Sequence, residues 1–317
     1  MSFRHLEWMA AGGLAGWAAA RLGGADRLSA AQSWTAPVFS FTPQAAAAAW
    51  AGGLLLRDRR ARTLSVCAGL ALAGAVAPRA MRRRQPDAAG PVLRVLTTNL
   101  LFGRADPAAV TGLARLTGAD VLFVQELTDR SVKELDRAGL GGLLPHRVLS
   151  PASEGLHDTG IFARHPLDAQ RASPWSCGAR LILPGRAPVR LVCVHTPPPK
   201  PPWYPQAAAR WREELTDLAQ LPEPARGDRP MIMAGDFNAT LDHAQLRRLL
   251  GRGYLDAASQ AGNGLAGTWR PKPGWRPALL TIDHVLVDPR CAVLATATRP
   301  VAGTDHLALF AQLRLPA

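Results

Sequence analysis

Four cysteines, Cys67, Cys177, Cys193 and Cys291, are all that the 317 residues contain. No two form a CxxC pair and none stands at a Cys/His metal spacing, so a zinc site is excluded. Their number leaves the redox compartment open. Lysine is rarer still: Lys133, Lys200 and Lys272 are the whole complement, and arginine carries the net charge of +13. There is no GxxxxGK[ST] loop, which argues against nucleotide-driven phosphoryl transfer. No internal repeat is visible.

What the chain does have is apolar content in uneven distribution. Residues 1–91 are dominated by Ala, Gly, Leu and Trp, and they hold eleven Arg against four acidic residues, more than half of the excess positive charge. Charge that flanks apolar segments signals topology and lipid contact. The smaller excess downstream suits an anionic substrate without identifying one. The run Arg79–Pro91 (RAMRRRQPDAAGP) lacks apolar periodicity and reads as a linker. Residues 1–85 are therefore expected to form a hydrophobic membrane-anchoring region, and residues 86–317 a catalytic domain.

Three stretches are expected to cross the membrane. They are Trp8–Ala20, continuing past Arg21 to Ala25; Ser33–Leu56, uncharged over 24 residues but interrupted by Pro37 and Pro43; and Leu64–Ala77. A spanning helix needs roughly 20 apolar residues, so only the second is long enough without snorkelling Arg. A secretory signal peptide is the alternative for the first. Four Arg in the tight loop Arg57–Arg62 (RDRRAR) point to a multi-pass protein with that loop cytoplasmic and the catalytic domain extracytoplasmic. Arg79 and Arg82–Arg84 argue for the opposite orientation.

Downstream, strands and helices alternate without a strict βαβ repeat. Strands are expected at Val92–Thr98, Val121–Gln125, Thr159–Ala163, Val189–Val194, Pro230–Ala234, Thr281–Val287, Ala292–Thr298 and Leu307–Leu315. Helices are expected from Asp106 to about Leu116 and over Asp129–Ala138, Pro205–Leu221 and His243–Leu250. This pattern predicts an α/β sandwich, two sheets face to face with helices outside.

Polar residues recur at the ends of these strands: Asn99, Glu126, His195, Asp236, Asn238, Asp283 with His284, and Asp305 with His306. Each has a bland reading by itself, as a solvated strand end, a turn or a cap. Their recurrence is the signal, because an apolar strand needs no carboxylate at its mouth in order to fold. Carboxylates and Asn without Cys suit a hard divalent ion, Mg²⁺ or Mn²⁺. A His paired with an Asp supplies an oriented proton-transfer group.

Six motifs in order, VLTTNL at 95–100, VQEL at 124–127, VHTPPP at 194–199, GDFNA at 235–239, IDHVLV at 282–287 and TDHLAL at 304–309, resemble the endonuclease/exonuclease/phosphatase superfamily, the DNase I-like fold. The resemblance covers about residues 92–317. It implies Glu126 as principal metal ligand, with Asn99 beside metal and phosphate and Asp305 adding a contact. It implies that Asp236 positions or deprotonates the attacking water, that Asn238 orients the phosphate, and that Asp283 holds His306. His195 matches the family's other site histidine. The choice of His306 or Asp236 as base stays open.

Asp158, ahead of a strand that leads into Arg164-His165-Pro166, is a further candidate for the site or for a turn. Trp269, in a Thr-Trp pair with Thr268, reads mainly as packing, and His284 as structural. The Pro-rich segment after His195 lacks the His-x-Gln pattern associated with sphingomyelinases. The expected function is a Mg²⁺- or Mn²⁺-dependent phosphoesterase acting on DNA, RNA or a phospholipid head group, with membrane contact through the N-terminal helices and no obligate protein partner. The alternative is a catalytically silent, membrane-tethered binding module of the same fold.

Overall fold

A computed structural model describes residues 2–151, 156–173, 176–200, 203–224 and 229–317. The side chains of residues 29–32, 156, 157, 171, 173 and 205 lie outside that description, as do Pro201 and Pro202 of the Pro-rich segment.

Four helices come first: α1 (Phe3–Gly23), α2 (Ser29–Phe39), α3 (Thr42–Leu55) and α4 (Arg59–Val76). The apolar run Ser33–Leu56 is thus two helices where one was expected. Proline has no N–H and crowds the preceding turn, but it suits a helix's first turn. Pro43 accordingly opens α3, and the chain breaks just before it, where Thr42 Oγ1 donates to the Phe39 carbonyl at 2.7 Å. At 11 and 14 residues, α2 and α3 are about 17 and 21 Å long, against a hydrocarbon core of about 30 Å. Among the described residues, only the helix over 59–80 is long and apolar enough to cross a bilayer, so the expectation of three such spans is not met on that criterion.

α1, α3 and α4 pack on one another through small residues, Ala18, Ala45, Ala49 and Ala68 with Leu72. Polar contacts fix their sense. At one end the Glu7 carboxylate accepts from the backbone N–H groups of Arg57 and Asp58 at 2.8 and 3.0 Å. At the other end the Trp17 indole donates to Thr42. α1 and α4 therefore run together and α3 runs against both. The Arg57–Arg62 loop lies at the end away from Arg21 and Arg79.

Among the described residues, twelve strands then form two six-stranded sheets. β1 (Val92–Asn99), α5 (Pro107–Thr117), β2 (Val121–Thr128), α6 (Asp129–Arg137), α7 (Leu140–Leu143), β3 (His146–Leu149) and β4 (Leu156–Ala163) begin the first sheet. β5 (Leu167–Ser173), β6 (Ser176–Leu181), β7 (Val189–His195), α8 (Pro205–Leu218), β8 (Met231–Asp236), α9 (Ala244–Leu250), β9 (Leu255–Asp256), α10 (Ala257–Gln260) and β10 (Asp283–Val287) make the second. β11 (Ala292–Pro300) and β12 (Leu307–Arg314) return to the first. The orders are β11-β12-β1-β2-β4-β3 and β5-β6-β7-β8-β10-β9.

Alternation along the strands splits the core into layers. Val95, Val121, Phe123 and Ile161 of the first sheet face Ala179, Leu191, Ile232, Ala234 and Val285 of the second. Leu96, Leu122, Val124 and Phe162 point outward under α5 and α6. Val192, Val194, Met231 and Met233 point outward under α8 and α9, and Ala36 of α2 joins that layer beside Trp211. The expected sandwich is what the chain forms. The middles of the two sheets are built alike: β1 pairs parallel with β2, and β7 with β8. The carboxyl ends of all four strands therefore lie at one edge of the sandwich.

Candidate active site

Asn99, Glu126, His195 and Asp236 sit at those four carboxyl ends. Asp283 begins β10 opposite Asp236, and Asp305–His306 immediately precede β12. Antiparallel pairing is what carries the starts of β10 and β12 to the same edge. Residues from both sheets and from distant parts of the chain meet there.

Asn99 is the hub. Its Nδ2 donates to Glu126 Oε1 at 2.9 Å and to Asp236 Oδ2 at 3.1 Å, which links the two sheets. Its Oδ1 accepts from the backbone N–H of Leu101 at 2.9 Å. In this arrangement Asn99 acts on the carboxylates as a donor, and an oxygen contact to a cation requires its amide to turn over. Glu126 Oε2 accepts from the Phe102 backbone N–H at 2.7 Å.

Two histidine–aspartate dyads flank this bridge. Asp283 Oδ2 lies 2.9 Å from His306 Nδ1, and the opposite ring nitrogen, Nε2, is 3.7 Å from Asp236 Oδ2. Asp158 Oδ1 lies 2.5 Å from His195 Nδ1, whose Nε2 is 3.7 Å from Glu126 Oε1. Each ring thus has one nitrogen held and the other turned to the centre. Asn238 closes the floor: its backbone N–H donates to Asp236 Oδ1 at 2.8 Å and its Nδ2 to the Thr196 carbonyl at 2.8 Å.

Burial opposes the charge on His306, but Asp283 and Asp236, with Asp305 beyond them, overcome it and hold its pKa up at about 10. Burial likewise opposes charging of His195, and the hydrogen bond and charge of Asp158, aided by Asp236 and Glu126, raise it to about 9. Burial pushes Asp236 up to about 6, against the pull of His306 and with the repulsion of Asp283 added. At neutral pH both rings are therefore imidazolium donors, and Asp236 is a carboxylate poised to take a proton.

The His195 shift has a measurable sign. A raised folded pKa contributes stability that is complete below the ordinary value of 6.5 and is lost as pH rises through about 9. Asp158→Asn removes the charge behind the shift. In the metal-free protein the His195 ring, followed by NMR, is expected to titrate near 9 in the wild type and at least a unit lower in the variant. Equal titration of the two proteins would show that Asp158 does not set the charge of His195.

The tightest set of potential ligand atoms among the described residues is Asp236, Asp283 and His306, all within 4.8 Å of one another. Their chemistry fits a proton-handling triad better than a metal centre. Asp283 occupies His306 Nδ1, and a ring held as imidazolium has no free lone pair. The donor set that fits a hard cation lies beside it. Glu126 supplies two carboxylate oxygens, and Asp305 Oδ1 is buried without a hydrogen-bond partner while Oδ2 accepts from the Trp269 indole at 3.1 Å.

Among the described residues, those other than glycine with positive φ are Leu101, Phe102, Glu126, Asp158 and Asn238, every one in the site or beside it. Such backbone costs about 1–3 kcal/mol per residue and persists where surrounding structure enforces it. At Glu126 the cause is visible: a bulge in β2, between Gln125 and Leu127, turns the carboxylate out of the sheet's alternation.

Two site features had little sequence signal. Asp158 is drawn to His195 by a β4 that starts earlier than its apolar run, and the Trp269 role is polar where packing was expected. Thr268, next to it, accepts from the backbone N–H groups of Ile282 and Asp283 at 3.0 and 3.1 Å and so fixes the start of β10. His284 is fully buried between Asp256 and the Ala239 carbonyl, turned away from the cluster.

Two mixed sheets with helices outside, and a strand-end cluster of carboxylates and histidines at one edge, define a DNase I-like α/β sandwich. Residues 96–306 match the sequence model of the Endonuclease/Exonuclease/phosphatase family, and the chain belongs to that family. No curated protein sequence matches it. Among solved structures, an endonuclease/exonuclease/phosphatase from Beutenbergia cavernae is similar at 17% identity and a TM-score of 0.54, over 71% of this chain and 72% of that one. TDP2 of D. rerio, solved with a single-strand DNA product, is similar at 17% identity and a TM-score of 0.53, over 70% and 98%. The endonuclease domain of TRAS1, a telomere-specific non-LTR retrotransposon, is similar at 16% identity and a TM-score of 0.50, over 72% and 100%. At these identities the likeness is one of fold.

Proposed function

We propose that the protein is a divalent-metal-dependent phosphoesterase held at a membrane by its N-terminal helices. The observation that carries this reading is the pair of histidine–aspartate dyads facing each other across the Asn99 bridge between Glu126 and Asp236. A binding module has no need of two imidazolium donors and a carboxylate of raised pKa converging on one edge of the sandwich, and this disfavours the silent alternative.

Glu126 and Asp305, with Asn99 if its amide turns, would hold the cation, Mg²⁺ or Mn²⁺. When bound it would polarise a phosphoryl oxygen and stabilise the leaving oxygen. The chain's own residues do the rest. Asp236 Oδ2 accepts the proton of the attacking water. His306 Nε2 and His195 Nε2 donate to phosphate oxygens, and Asp283 and Asp158 keep those rings charged and oriented. Asn238 fixes the rotamer of Asp236 through its backbone N–H.

In this reading the helical region attaches the protein to a membrane, with the catalytic domain outside the cytoplasm. The Arg57–Arg62 loop stands at the end of the helix cluster away from the sandwich, which suits the cytoplasmic side. Arg21 and Arg79, at the opposite end, are both paired to Asp242, so they weigh little against that orientation.

A substrate panel tests the reading. The full chain, in detergent or nanodiscs with Mg²⁺ or Mn²⁺, is assayed on plasmid DNA, RNA, phospholipids and a chromogenic phosphodiester. The expected result is hydrolysis of at least one substrate, with the preferred one deciding between nuclease and lipid phosphoesterase. Saturable binding to any of these without turnover would favour the silent module.

A further inference from the structure

The segment that carries Asp236 and Asn238 into the site does not end there. It continues through Ala239 and Thr240 to Asp242 and His243, both fully buried, and from that point its polar groups are satisfied by the N-terminal helices. Asp242 receives a two-pronged hydrogen bond from Arg79, Nη1 and Nη2 each at 2.7 Å, and a third from Arg21 Nε at 2.9 Å. Arg21 and Arg79 are themselves buried. His243 Nδ1 accepts from the Thr240 backbone N–H at 2.8 Å, which places its hydrogen on Nε2, 2.7 Å from the Ala36 carbonyl of α2. The Ala244 backbone N–H donates to Asp26, in the turn between α1 and α2.

A second contact reaches the other side of the site. Gln44 of α3 donates to the Leu279 carbonyl at 2.7 Å. Leu279 donates from its backbone to the Trp269 carbonyl at 2.8 Å, and the Trp269 indole holds Asp305 at 3.1 Å. An anchor that merely tethered the sandwich would need none of this. Burying an Asp between two Arg is costly unless geometry and hydrogen bonding are complete, and here the completed cluster sits six residues from Asp236.

We infer that the N-terminal helices are a positioning element of the active site: through Arg79, Arg21 and the Ala36 carbonyl they hold the 236–243 segment, and through Gln44 they brace the strand start beside Asp305. The inference rests on the phosphoesterase reading for its effect on rate, but not for its effect on the segment's order. Seating of the helices and catalytic competence are then linked, so that loosening the helices in their bilayer lowers turnover.

The test uses the full chain in nanodiscs and two readouts. Amide hydrogen exchange over residues 236–243 reports order without any activity, and hydrolysis of a chromogenic phosphodiester reports kcat and KM. In Asp242→Asn and Arg79→Ala, exchange in that segment is expected to accelerate at least about 10-fold. The kcat is expected to fall about 10- to 100-fold with KM held within a factor of about 2, the signature of misplaced groups and not of lost binding. Arg79→Lys, which keeps a charge but not the fork, should lie between wild type and Arg79→Ala. Arg60→Ala, at the far end of α4, should match wild type in both readouts. Gln44→Ala leaves no charge buried and so keeps the fold; it should speed exchange at 279–280 while 236–243 stays protected. Wild-type exchange and wild-type kcat in both Asp242→Asn and Arg79→Ala would overturn the inference. Inactive wild-type protein would contradict the phosphoesterase reading alone, and exchange would then decide the positioning role.

Discussion

His306→Ala is expected to lower kcat on a phosphoester by about 10²- to 10⁴-fold, the range for removing a positioned proton donor. The side chain is nearly fully buried, with Asp283 on one nitrogen and Asp236 and Asp305 around the other. Truncation leaves three carboxylates without the positive charge between them, and their mutual repulsion then raises whichever is easiest to protonate. Asp236, already pushed up to about 6, then stands more fully protonated at neutral pH, so the variant loses a donor and leaves less of its base ionised. Asp283→Asn should show a smaller loss with the same sign, because the amide still orients the ring but no longer holds its charge. The check is single-turnover kinetics on both variants, with circular dichroism to show that the sheets persist. Near-wild-type kcat in folded His306→Ala would remove the dyad from the mechanism.

Gly235→Ala is expected to cost about 3 kcal/mol or more and to abolish activity. Gly235 has φ of 148°, outside the range that a side chain tolerates, and a Cβ there would lie 1.9 Å from the Val194 carbonyl oxygen of the neighbouring β7. That oxygen is backbone inside a parallel ladder, so it cannot move without parting β7 from β8. The residues that would be displaced are His195 and Asp236, which pair across this register. The glycine of the GDFNA motif is thus explained by strand approach and not by a turn alone. Thermal unfolding of Gly235→Ala checks it; a transition unchanged from wild type would mean that the two strands can separate freely at this point.

The sheets, and the edge at which the candidate site residues meet, were largely legible because buried strands advertise themselves. VLRVLTT, VLFVQ and VRLVCV are apolar runs that end abruptly in a polar residue, and all three ends proved to share one edge. Strands at the sheet margins gave less. His146–Leu149 and Leu167–Ser173 are edge strands with one face to solvent, and Ser176–Leu181 carries Gly178 at a close approach to Ala172 and the Gln170 carbonyl. Such strands need little apolar content, so no periodicity marks them.

In the N-terminal region Pro43 marks an interruption in the sequence without saying that a new helix starts there, and neither hydropathy nor charge placement can show Asp242 recruiting Arg21 and Arg79 across more than 160 residues. Those arginines had been weighed as topology signals; their buried partner makes them structural. The same blindness hid Trp269, since nothing in the local sequence says that its indole reaches Asp305. Long-range polar pairing leaves no pattern in the chain, whereas burial of a strand does.

Metal-dependent hydrolysis is the activity proposed for the Glu126–Asp236–His306 edge. It is tested most directly by assaying the full chain on a chromogenic phosphodiester after exhaustive chelation, then after return of Mg²⁺ or Mn²⁺, with Glu126→Gln in parallel. Chelation is expected to remove turnover and the cation to restore it, and Glu126→Gln is expected to stay about 10³-fold below wild type at saturating cation. Hydrolysis that survives chelation, or a Glu126→Gln variant with wild-type turnover, would contradict it.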